Sequence, residues 1–281
     1  MSLTPFGQDK FISVHGLHMH YVEWGMPGNP SMVLLHGFQS HAHTWDTFSS
    51  AMAATHHVLA LDQRGHGDTA WAPDGNYTPE AFIRDIVGFI DALHLAPTLL
   101  VGHSMGGRHA ALVAADYPAK VKKLVIVDTA AEPPPELRAR FSQPPETPPA
   151  PETFDAFEDV VHQGMAQYPL TPEAELRHAN YHNLYRGADG KWHWRWDFTL
   201  LERRRHNRGL QMDLYTTLRR VSCPTLLLRG QHSPLLTAEV AQKMLHSLTQ
   251  GCLEEIANAA HTVNADNAET FHAITAAFLK T

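Results

Sequence analysis

The 281-residue chain contains very little cysteine, only Cys223 and Cys252. This count excludes a small domain stapled by disulfides, and the chain is long enough to bury a large core without cross-links. Each cysteine lies within or beside a late stretch of strand-like sequence. We therefore expect two unpaired, buried thiols with no catalytic role.

Long hydrophobic runs are also missing. No run of 18 apolar residues occurs, and Met1–Lys10 lacks an apolar stretch of signal-peptide length. Basic side chains are outnumbered, with 22 Lys and Arg against 29 Asp and Glu, which gives a net charge of −7. Such a surface does not attract nucleic acids or anionic lipids. We expect a cytoplasmic protein whose partner is a small molecule, not a nucleic acid or a membrane.

Recognisable metal-binding motifs are absent, although the chain contains 21 histidines. Neither a His-Glu-x-x-His pattern nor a pair of closely spaced cysteines occurs, so the sequence predicts no metal site. His18 and His20 alternate within a predicted strand, Leu17–Glu23, and therefore share one of its faces. We expect both of them to be exposed to solvent.

What the chain has in abundance is strand-like runs that alternate with helical patterns. This alternation predicts an α/β fold with a mostly parallel sheet. The further predicted strands are Met32–Leu35, His57–Leu61, Thr98–Val101, Leu124–Val127, Thr225–Leu228 and Leu253–Ile256. The predicted helices are Trp45–Ala53, Pro79–Leu93, Gly106–Asp116, Ala238–Leu248 and Ala268–Leu279.

The alternation stops between residues 132 and 213, which we interpret as an inserted cap on a core formed by residues 1–131 and 214–281. Residues 133–151 hold eight of the 19 prolines, too many for a regular helix or a central strand. Helical patterns follow at Phe154–Tyr168, Pro172–Leu184 and Phe198–Asn207. The alternating tryptophans of Trp192–Asp197 indicate a short extended segment that ties the cap to the core.

A serine between glycines follows the run Thr98–Val101, in the sequence Gly102-His103-Ser104-Met105-Gly106-Gly107. At a tight turn from strand to helix the serine adopts strained backbone angles, and Gly102 and Gly106 avoid the clash that a Cβ would cause. The hydroxyl then lies beside the N–H groups of the following helix, where a developing negative charge is stabilised. The pattern predicts Ser104 as a nucleophile.

A serine hydroxyl is a poor nucleophile unless a base takes its proton, and that base needs a carboxylate partner. His261 follows the last predicted strand, in a loop of small residues, Ala257–Val263, before the final helix. This position is at the same carboxyl edge of the sheet as Ser104. We predict that His261 is the base.

Together these features resemble the α/β-hydrolase family over nearly the whole chain. His36-Gly37-Phe38 is similar to the family's oxyanion loop, Asp62-Gln63-Arg64-Gly65-His66-Gly67 to its Asp-x-Arg-Gly-x-Gly loop, and Gly102–Gly107 to its nucleophile elbow. The resemblance implies an eight-stranded, mostly parallel sheet with helices on both faces and an inserted helical cap. It also implies an oxyanion hole formed by the backbone N–H groups of Phe38 and Met105.

The chain departs from the family pattern at the acid. Members commonly carry it as the aspartate of a Gly-x-x-Asp pattern, where this chain reads Gly230-Gln231-His232-Ser233. Since a serine cannot act as the acid, we assign the role to Asp128, which ends the preceding strand, where some members place theirs. Glu239 is the nearest rival along the chain. The run Arg229–Ser233 with an earlier acid is similar to a subset that includes ester, amide and carbon–carbon hydrolases.

The resemblance thus implies a serine hydrolase that acts on a small or medium ester through an acyl-enzyme, with no metal or organic cofactor. Amide or carbon–carbon bond hydrolysis is an open alternative. Cofactor-free dioxygenation is another, in which Ser104 binds substrate without attacking it, and a non-enzymatic receptor on the same fold is a third. Dehalogenases and epoxide hydrolases of this fold use an aspartate as nucleophile, so Ser104 excludes both.

Overall fold

A computed structural model describes residues 7–132, 134–136, 153–200 and 213–280. The strands of the main sheet are β1 (Gln8–Val14), β2 (Leu17–Trp24), β3 (Ser31–Leu35), β4 (His57–Leu61), β5 (Thr98–His103), β6 (Val121–Val127), β10 (Thr225–Gly230) and β11 (Gly251–Ile256). Their spatial order is β1, β2, β4, β3, β5, β6, β10, β11. The pairs β1 with β2 and β2 with β4 are antiparallel and the others are parallel. The expected eight-stranded, mostly parallel sheet is confirmed.

Helices follow most of the parallel strands. Those of the core are α1 (Asp46–Met52), α2 (Pro79–Ala92), α3 (Met105–Asp116), α6 (Leu214–Arg219), α7 (Ala238–Ser247), α8 (Val263–Asp266) and α9 (Ala268–Lys280), with short 3-10 turns at Ala42–Trp45 and Pro118–Lys120. The Thr78 hydroxyl accepts a hydrogen bond from the N–H of Ala81, and Pro79 occupies the first turn, where its missing N–H costs nothing.

The core lies on both faces of the sheet because successive side chains of a strand point in opposite directions. Along β3, Val33 and Leu35 pack in one apolar cluster, which includes Phe89 of α2. Met32 and Leu34 pack in a second cluster on the other face, to which α1 and α9 contribute. The expected helices on both faces of the sheet are thus confirmed.

Strand β1 was missing from the sequence prediction. Its residues are mostly exposed and carry no apolar run, since it is the edge strand of the sheet. It pairs with β2 through a hairpin whose turn residues, His15 and Gly16, both have positive φ, at 50° and 82°. That conformation suits a two-residue hairpin turn, but the usual sequence signal for it is Asn-Gly or Asp-Gly.

The expectation that His18 and His20 are both solvated is wrong for His20. His18 is exposed, but His20 is 1% exposed. Its Nδ1 lies 2.7 Å from Oδ2 of the buried Asp62, and the ring of Phe11 packs 5.0 Å from its own. Asp62, which directly follows β4, therefore covers the face of β2 on which His20 lies. The alternation of residues along β2 would by itself predict that this face is exposed to solvent.

Between β6 and α6 the chain forms a separate small unit, which we call the inserted segment (residues 153–200). It contains helices α4 (Phe157–Gln167) and α5 (Glu173–Asn183) and strands β7 (Thr153–Phe154), β8 (Leu184–Arg186) and β9 (Trp192–Trp194). These strands pair antiparallel in the order β7, β9, β8. The proline-rich stretch 137–152 and most of the helical pattern predicted for Phe198–Asn207 lie outside the described residues.

The three alternating tryptophans of Trp192–Asp197 lie in two different environments. Trp192 and Trp194 are half-buried and pack on Phe157 and Phe154 within the inserted segment. Trp196 is buried and forms a bridge with His66 of the core. The tie between the inserted segment and the core that the sequence predicts is therefore seen at Trp196.

Both cysteines are unpaired, as expected, but neither is fully buried. Cys223 is half-buried and Cys252 is exposed. In the described part of the chain no helix is both long enough and apolar enough to span a bilayer.

Candidate active site

Ser104 lies at the turn from β5 into α3, with φ 52° and ψ −112°. This positive φ is strained for a residue with a side chain. A Cβ on Gly102 would come within 2.3 Å of the Gly106 carbonyl oxygen, and one on Gly106 within 2.4 Å of the Leu35 carbonyl oxygen. The two glycines are required by this close backbone approach, as predicted.

The three side chains predicted as nucleophile, base and acid lie together at the carboxyl edge of the sheet. His261 Nε2 is 3.1 Å from Ser104 Oγ, and His261 Nδ1 is 2.7 Å from Asp128 Oδ2. Ser104 follows β5, Asp128 follows β6 and His261 follows β11. Parallel strands deliver their carboxyl ends to one edge, which is why residues 157 positions apart meet.

Asp128 is completely buried and is held by several hydrogen bonds. Its Oδ1 accepts from the N–H of Gly230 at 3.0 Å, and its Oδ2 accepts from the hydroxyl of Ser233 at 2.6 Å as well as from His261. The rival Glu239 points elsewhere and forms an exposed ion pair with Lys243 at 2.8 Å. The structure therefore places Asp128, and not Glu239, beside His261.

Ser233 is a residue that sequence reasoning noted only as a departure. Its hydroxyl donates to Asp128 and also accepts from the N–H groups of Leu235 and Leu236, at 3.2 and 3.0 Å. It therefore fixes the carboxylate to the turn after β10. Two features of the sequence together could have indicated this contact. A serine stands where the family commonly has an aspartate, and an aspartate, Asp128, follows the preceding strand.

His103 packs against His261. Its Nε2–H donates to the backbone oxygen of His261 at 2.8 Å, and the two rings are 4.7 Å apart. Burial, together with the nearby His261, lowers the pKa of His103 to about 3, so its ring is neutral at pH 7. A neutral donor here holds the His261 loop without placing a positive charge beside the His261 ring.

The loop His36–Phe38 passes directly against Ser104. A Cβ on Gly37 would lie 2.9 Å from His103 Nδ1 and 3.4 Å from Ser104 Cβ. His36 is fully buried and holds the loop through Nδ1, 2.7 Å from the Gly37 oxygen, and Nε2, 3.0 Å from the N–H of Gln63. Met105 is the first residue of α3, so its N–H has no partner within the helix.

An apolar wall stands beside Ser104. The side chains of Phe38 and Met105 pack against a cluster formed by Ala72, Tyr77, Phe82 and Leu200. The Trp196 ring lies 6.2 Å from that of Phe38. The two residues predicted to contribute backbone N–H groups thus carry apolar side chains that line the surroundings of the serine.

The inserted segment reaches this edge of the sheet through hydrogen bonds. The Tyr77 hydroxyl donates to Asp197, whose own N–H donates to the Gly65 oxygen at 2.8 Å. The hydroxyl of Thr171 lies 2.9 Å from that of Thr262, the residue after His261. These contacts place the segment next to the His261 loop and next to the stretch that follows β4.

A central parallel strand that ends in a strained serine turn, with a histidine and a buried carboxylate at the same edge, is the architecture of α/β hydrolases. Residues 30–268 match the family model described as alpha/beta hydrolase fold, and the chain belongs to this family.

Two curated relatives are similar over most of their length. Esterase Rv0045c of Mycobacterium tuberculosis is 30% identical over 232 residues, which cover 80% of this chain and 75% of the esterase. The 2-(acetamidomethylene)succinate hydrolase of Mesorhizobium japonicum is 28% identical over 261 residues, which cover 88% of this chain and 87% of that enzyme. The chain is accordingly a hydrolase.

Among solved structures, a crystal structure of E-2-(acetamidomethylene)succinate hydrolase matches with a TM-score of 0.88 at 24% identity. The match covers 98% of this chain and 100% of that chain. At this level of identity the likeness establishes the shared fold.

Proposed function

We propose that this hydrolase cleaves carboxylic esters through an acyl-enzyme on Ser104, with His261 as the base and Asp128 as the acid of a catalytic triad. The observation that carries the proposal is the continuous chain of contacts from Ser104 Oγ through both nitrogens of His261 to Asp128 Oδ2. A base and its carboxylate in hydrogen-bond reach of a strained serine are the arrangement that nucleophilic catalysis requires.

In the first half of the reaction, Ser104 Oγ attacks the carbonyl carbon while His261 Nε2 takes its proton. Asp128 accepts the Nδ1–H of His261, which fixes the tautomer and stabilises the imidazolium. The tetrahedral intermediate then collapses as His261 returns the proton to the leaving alkoxide. The alcohol departs and the acyl group remains on Ser104.

In the second half, a water molecule replaces the alcohol. His261 removes a proton from the water, whose oxygen attacks the acyl carbon and forms a second tetrahedral intermediate. Collapse of this intermediate breaks the bond to Ser104 Oγ, which regains its proton from His261. The carboxylic acid leaves and the resting site is restored.

We assign stabilisation of the oxyanion to the backbone N–H groups of Phe38 and Met105. The contact of the Gly37 loop with Ser104 and the position of Met105 at the start of α3 support this assignment. A preorganised donor of this kind is worth about 3 kcal/mol in the transition state. Because only the backbone takes part, the side chains of both residues are available to contact the substrate.

The inserted segment, as part of the predicted cap 132–213, is proposed to cover Ser104 and to select the acyl group. Trp196 next to Phe38, and Thr171 next to the His261 loop, support this role. The apolar wall of Phe38, Met105, Tyr77, Phe82 and Leu200 favours an acyl group with an apolar face.

An amide is the second candidate for the bond that is cleaved. The relative from Mesorhizobium japonicum is named for a substrate that contains an acetamide group, and it is 28% identical over most of both chains. The same acyl-enzyme steps serve an amide, with His261 protonating the leaving nitrogen.

The proposal is tested by reaction of the protein with a fluorophosphonate probe and by assay of aryl esters of increasing acyl length. We expect stoichiometric labelling of Ser104 and measurable ester hydrolysis. Ser104→Ala should abolish both, while Ser13→Ala, which removes an exposed serine of β1, should leave both unchanged.

Absence of probe labelling in a folded, wild-type protein would contradict the acyl-enzyme mechanism. If, in addition, the protein consumed oxygen with an aromatic substrate after Ser104→Ala, the dioxygenase reading would replace it. A panel of matched aryl esters and anilides then distinguishes the ester from the amide as the preferred bond.

A further inference from the structure

A cluster of histidines joins the inserted segment to the core away from Ser104. His41 and His43 belong to the stretch between β3 and α1, while His178 and His182 lie one turn apart on α5. The rings of His43 and His182 stack with centroids 3.7 Å apart, and the rings of His178 and His182 are 4.9 Å apart. The histidine pairs are about 140 positions apart in the chain, so no local motif marks them.

Asp46, the first residue of α1, contacts two histidines of this cluster. Its Oδ2 lies 2.9 Å from His43 Nδ1 and 3.0 Å from His178 Nε2. Its Oδ1 is shielded from solvent and has no hydrogen-bond partner. A shielded carboxylate oxygen without a donor is costly, and an ion at that oxygen would explain it.

The donor types suit a cation. A metal ion takes an imidazole in its neutral form and a carboxylate in its ionised form, which are the common forms of both groups at neutral pH. His43 and His182 offer imidazole nitrogens, and Asp46 offers a carboxylate oxygen, to the same space.

We propose that His43, Asp46 and His182 bind a late first-row divalent metal ion such as Zn²⁺. One ligand atom from each residue lies within 4.8 Å of the others. In a tetrahedral zinc site with bonds of about 2.1 Å the ligand atoms are separated by about 3.4 Å, so rotations of half-buried side chains close the site. Two imidazoles and one carboxylate are an established zinc ligand set, with the fourth position open to water.

His178 supports the site without being a ligand. Its Nε2–H donates to Asp46, and such a donor orients a metal-binding carboxylate. The hydrogen bond to Asp46 raises the pKa of His178 above its ordinary value. Removing this side chain should weaken binding less than removing a ligand does.

A neighbouring group of Asp9, His20 and His43 has similar spacing. The Nδ1 of His20 already lies 2.7 Å from the buried carboxylate of Asp62, and its Nε2 lies 3.1 Å from Asp9. Because Asp9 is exposed to solvent, its carboxylate is not held in place as that of Asp46 is, which favours the group with His182.

A metal ion at this site would link the inserted segment to the stretch that follows Phe38. The two already meet through His41 Nε2, 2.9 Å from the Ala179 oxygen, and through the amide of Asn183, which donates to the Gln39 oxygen at 2.8 Å. An ion held by His43 and Asp46 on one side and His182 on the other would add a stronger link across the same interface.

The test is zinc binding by tag-free protein after removal of metal with a chelator. We expect calorimetry to show one Zn²⁺ per chain with a micromolar or lower Kd, and Co²⁺ to give the visible absorption of a tetrahedral site. His178→Ala should raise the Kd about 10- to 100-fold, and His43→Ala and His182→Ala should each raise it by more. Zn²⁺ should raise the Tm of the wild type and not that of His182→Ala.

His193→Ala is the matched control, because His193 also pairs with an aspartate of the inserted segment, Asp189 at 3.0 Å, but belongs to no group of three ligands among the described residues. Its Kd should equal that of the wild type. Circular dichroism establishes that each variant is folded. A wild-type Kd of about 1 mM or weaker, or a folded His182→Ala that binds as the wild type does, would overturn the proposal.

Discussion

The sheet and the inserted segment are built on different principles. Strands β3 to β5 are almost entirely buried, and their apolar side chains fill clusters on both faces. In the inserted segment, α4 buries only Val160 and Val161, and α5 only Leu176 and Asn183. Hydrogen bonds and aromatic contacts join the segment to the core. A rigid sheet can hold reacting groups in place, whereas a lightly packed segment is suited to adapting around a substrate.

The largest difference between the two regions should appear when a buried carboxylate of each is changed to its amide. Asp128→Asn should lower kcat by about 10³- to 10⁴-fold, because an amide neither fixes the tautomer of His261 nor stabilises its charge. Asp197→Asn removes the charge that accepts the Tyr77 hydroxyl and should change KM several-fold while kcat stays near that of the wild type.

Steady-state kinetics on an aryl ester, with circular dichroism of each variant, measures this contrast. Full activity in Asp128→Asn would show that the acid is assigned to the wrong residue, even if Ser104 is the nucleophile. A loss of kcat in Asp197→Asn as large as that in Asp128→Asn would contradict the view that the core carries the reacting groups and the inserted segment only helps to bind the substrate.

The two regions also differ in how far sequence predicts them. The core strands are short apolar runs that a buried parallel sheet requires, and every predicted strand and core helix is present within a few residues of its expected bounds. Ser104 and His261 could be chosen because each follows a strand at the same edge, and Asp128 because the family resemblance implies an acid after the preceding strand. The inserted segment has mixed composition and few buried positions, so the sequence indicated its helices, the extended segment at β9 and a tie to the core, but not how its three short strands pair.

Contacts between distant polar residues were not predictable. His20 reads as a surface residue in an alternating strand, and only the fold brings Asp62 over it. His43 and His182 lack any shared local pattern, yet their rings stack. In the sequence, Ser233 marks the loss of an aspartate, while in the structure its hydroxyl donates to Asp128.

Acid should destabilise the core more than the insert. Burial lowers the pKa of His36, His103 and His109 to about 3 and that of His66 to about 4. These rings stay neutral when folded but bind protons near pH 6.5 when unfolded, so the free energy of unfolding falls as the pH falls below 6.5. Each contributes roughly 1 kcal/mol per pH unit. In the inserted segment two shifts oppose each other, because burial lowers the pKa of His182 to about 4 whereas the hydrogen bond to Asp46 raises the pKa of His178.

Urea unfolding between pH 7 and pH 5 measures this effect, and we expect a loss of several kcal/mol, about the sum of the four contributions. A free energy of unfolding that stays constant over this range would contradict the burial of neutral histidines in the core.

A matched pair of leucines tests packing in the two regions. Leu100 is fully buried in β5, and Leu176 of α5 is 7% exposed. Leu100→Ala should lower the free energy of unfolding by about 2–5 kcal/mol, because a cavity remains in a rigid core. Leu176→Ala should cost less, since the lightly packed insert can relax around the cavity. Equal losses by urea unfolding would show that the insert is packed as tightly as the sheet.

The smallest of these effects should come from Ser233→Ala, which keeps the triad but removes one donor from Asp128. A hydrogen bond to a charged group contributes about 1.5–3 kcal/mol, so we expect a roughly tenfold loss of kcat with KM little changed. Ser233→Thr keeps the hydroxyl and should therefore retain most of the wild-type kcat. A loss of stability with unchanged kcat would assign Ser233 a purely structural role.

The most direct test of the central claim is to trap the acyl-enzyme. The protein is mixed with excess aryl acetate, quenched in acid within the first turnovers, and analysed by intact mass and peptide mapping. We predict a burst of phenol about equal to the enzyme concentration and one acetyl group on the peptide that contains Ser104, both absent in Ser104→Ala. Ester hydrolysis without a burst or adduct, or an adduct on another residue, would contradict the account.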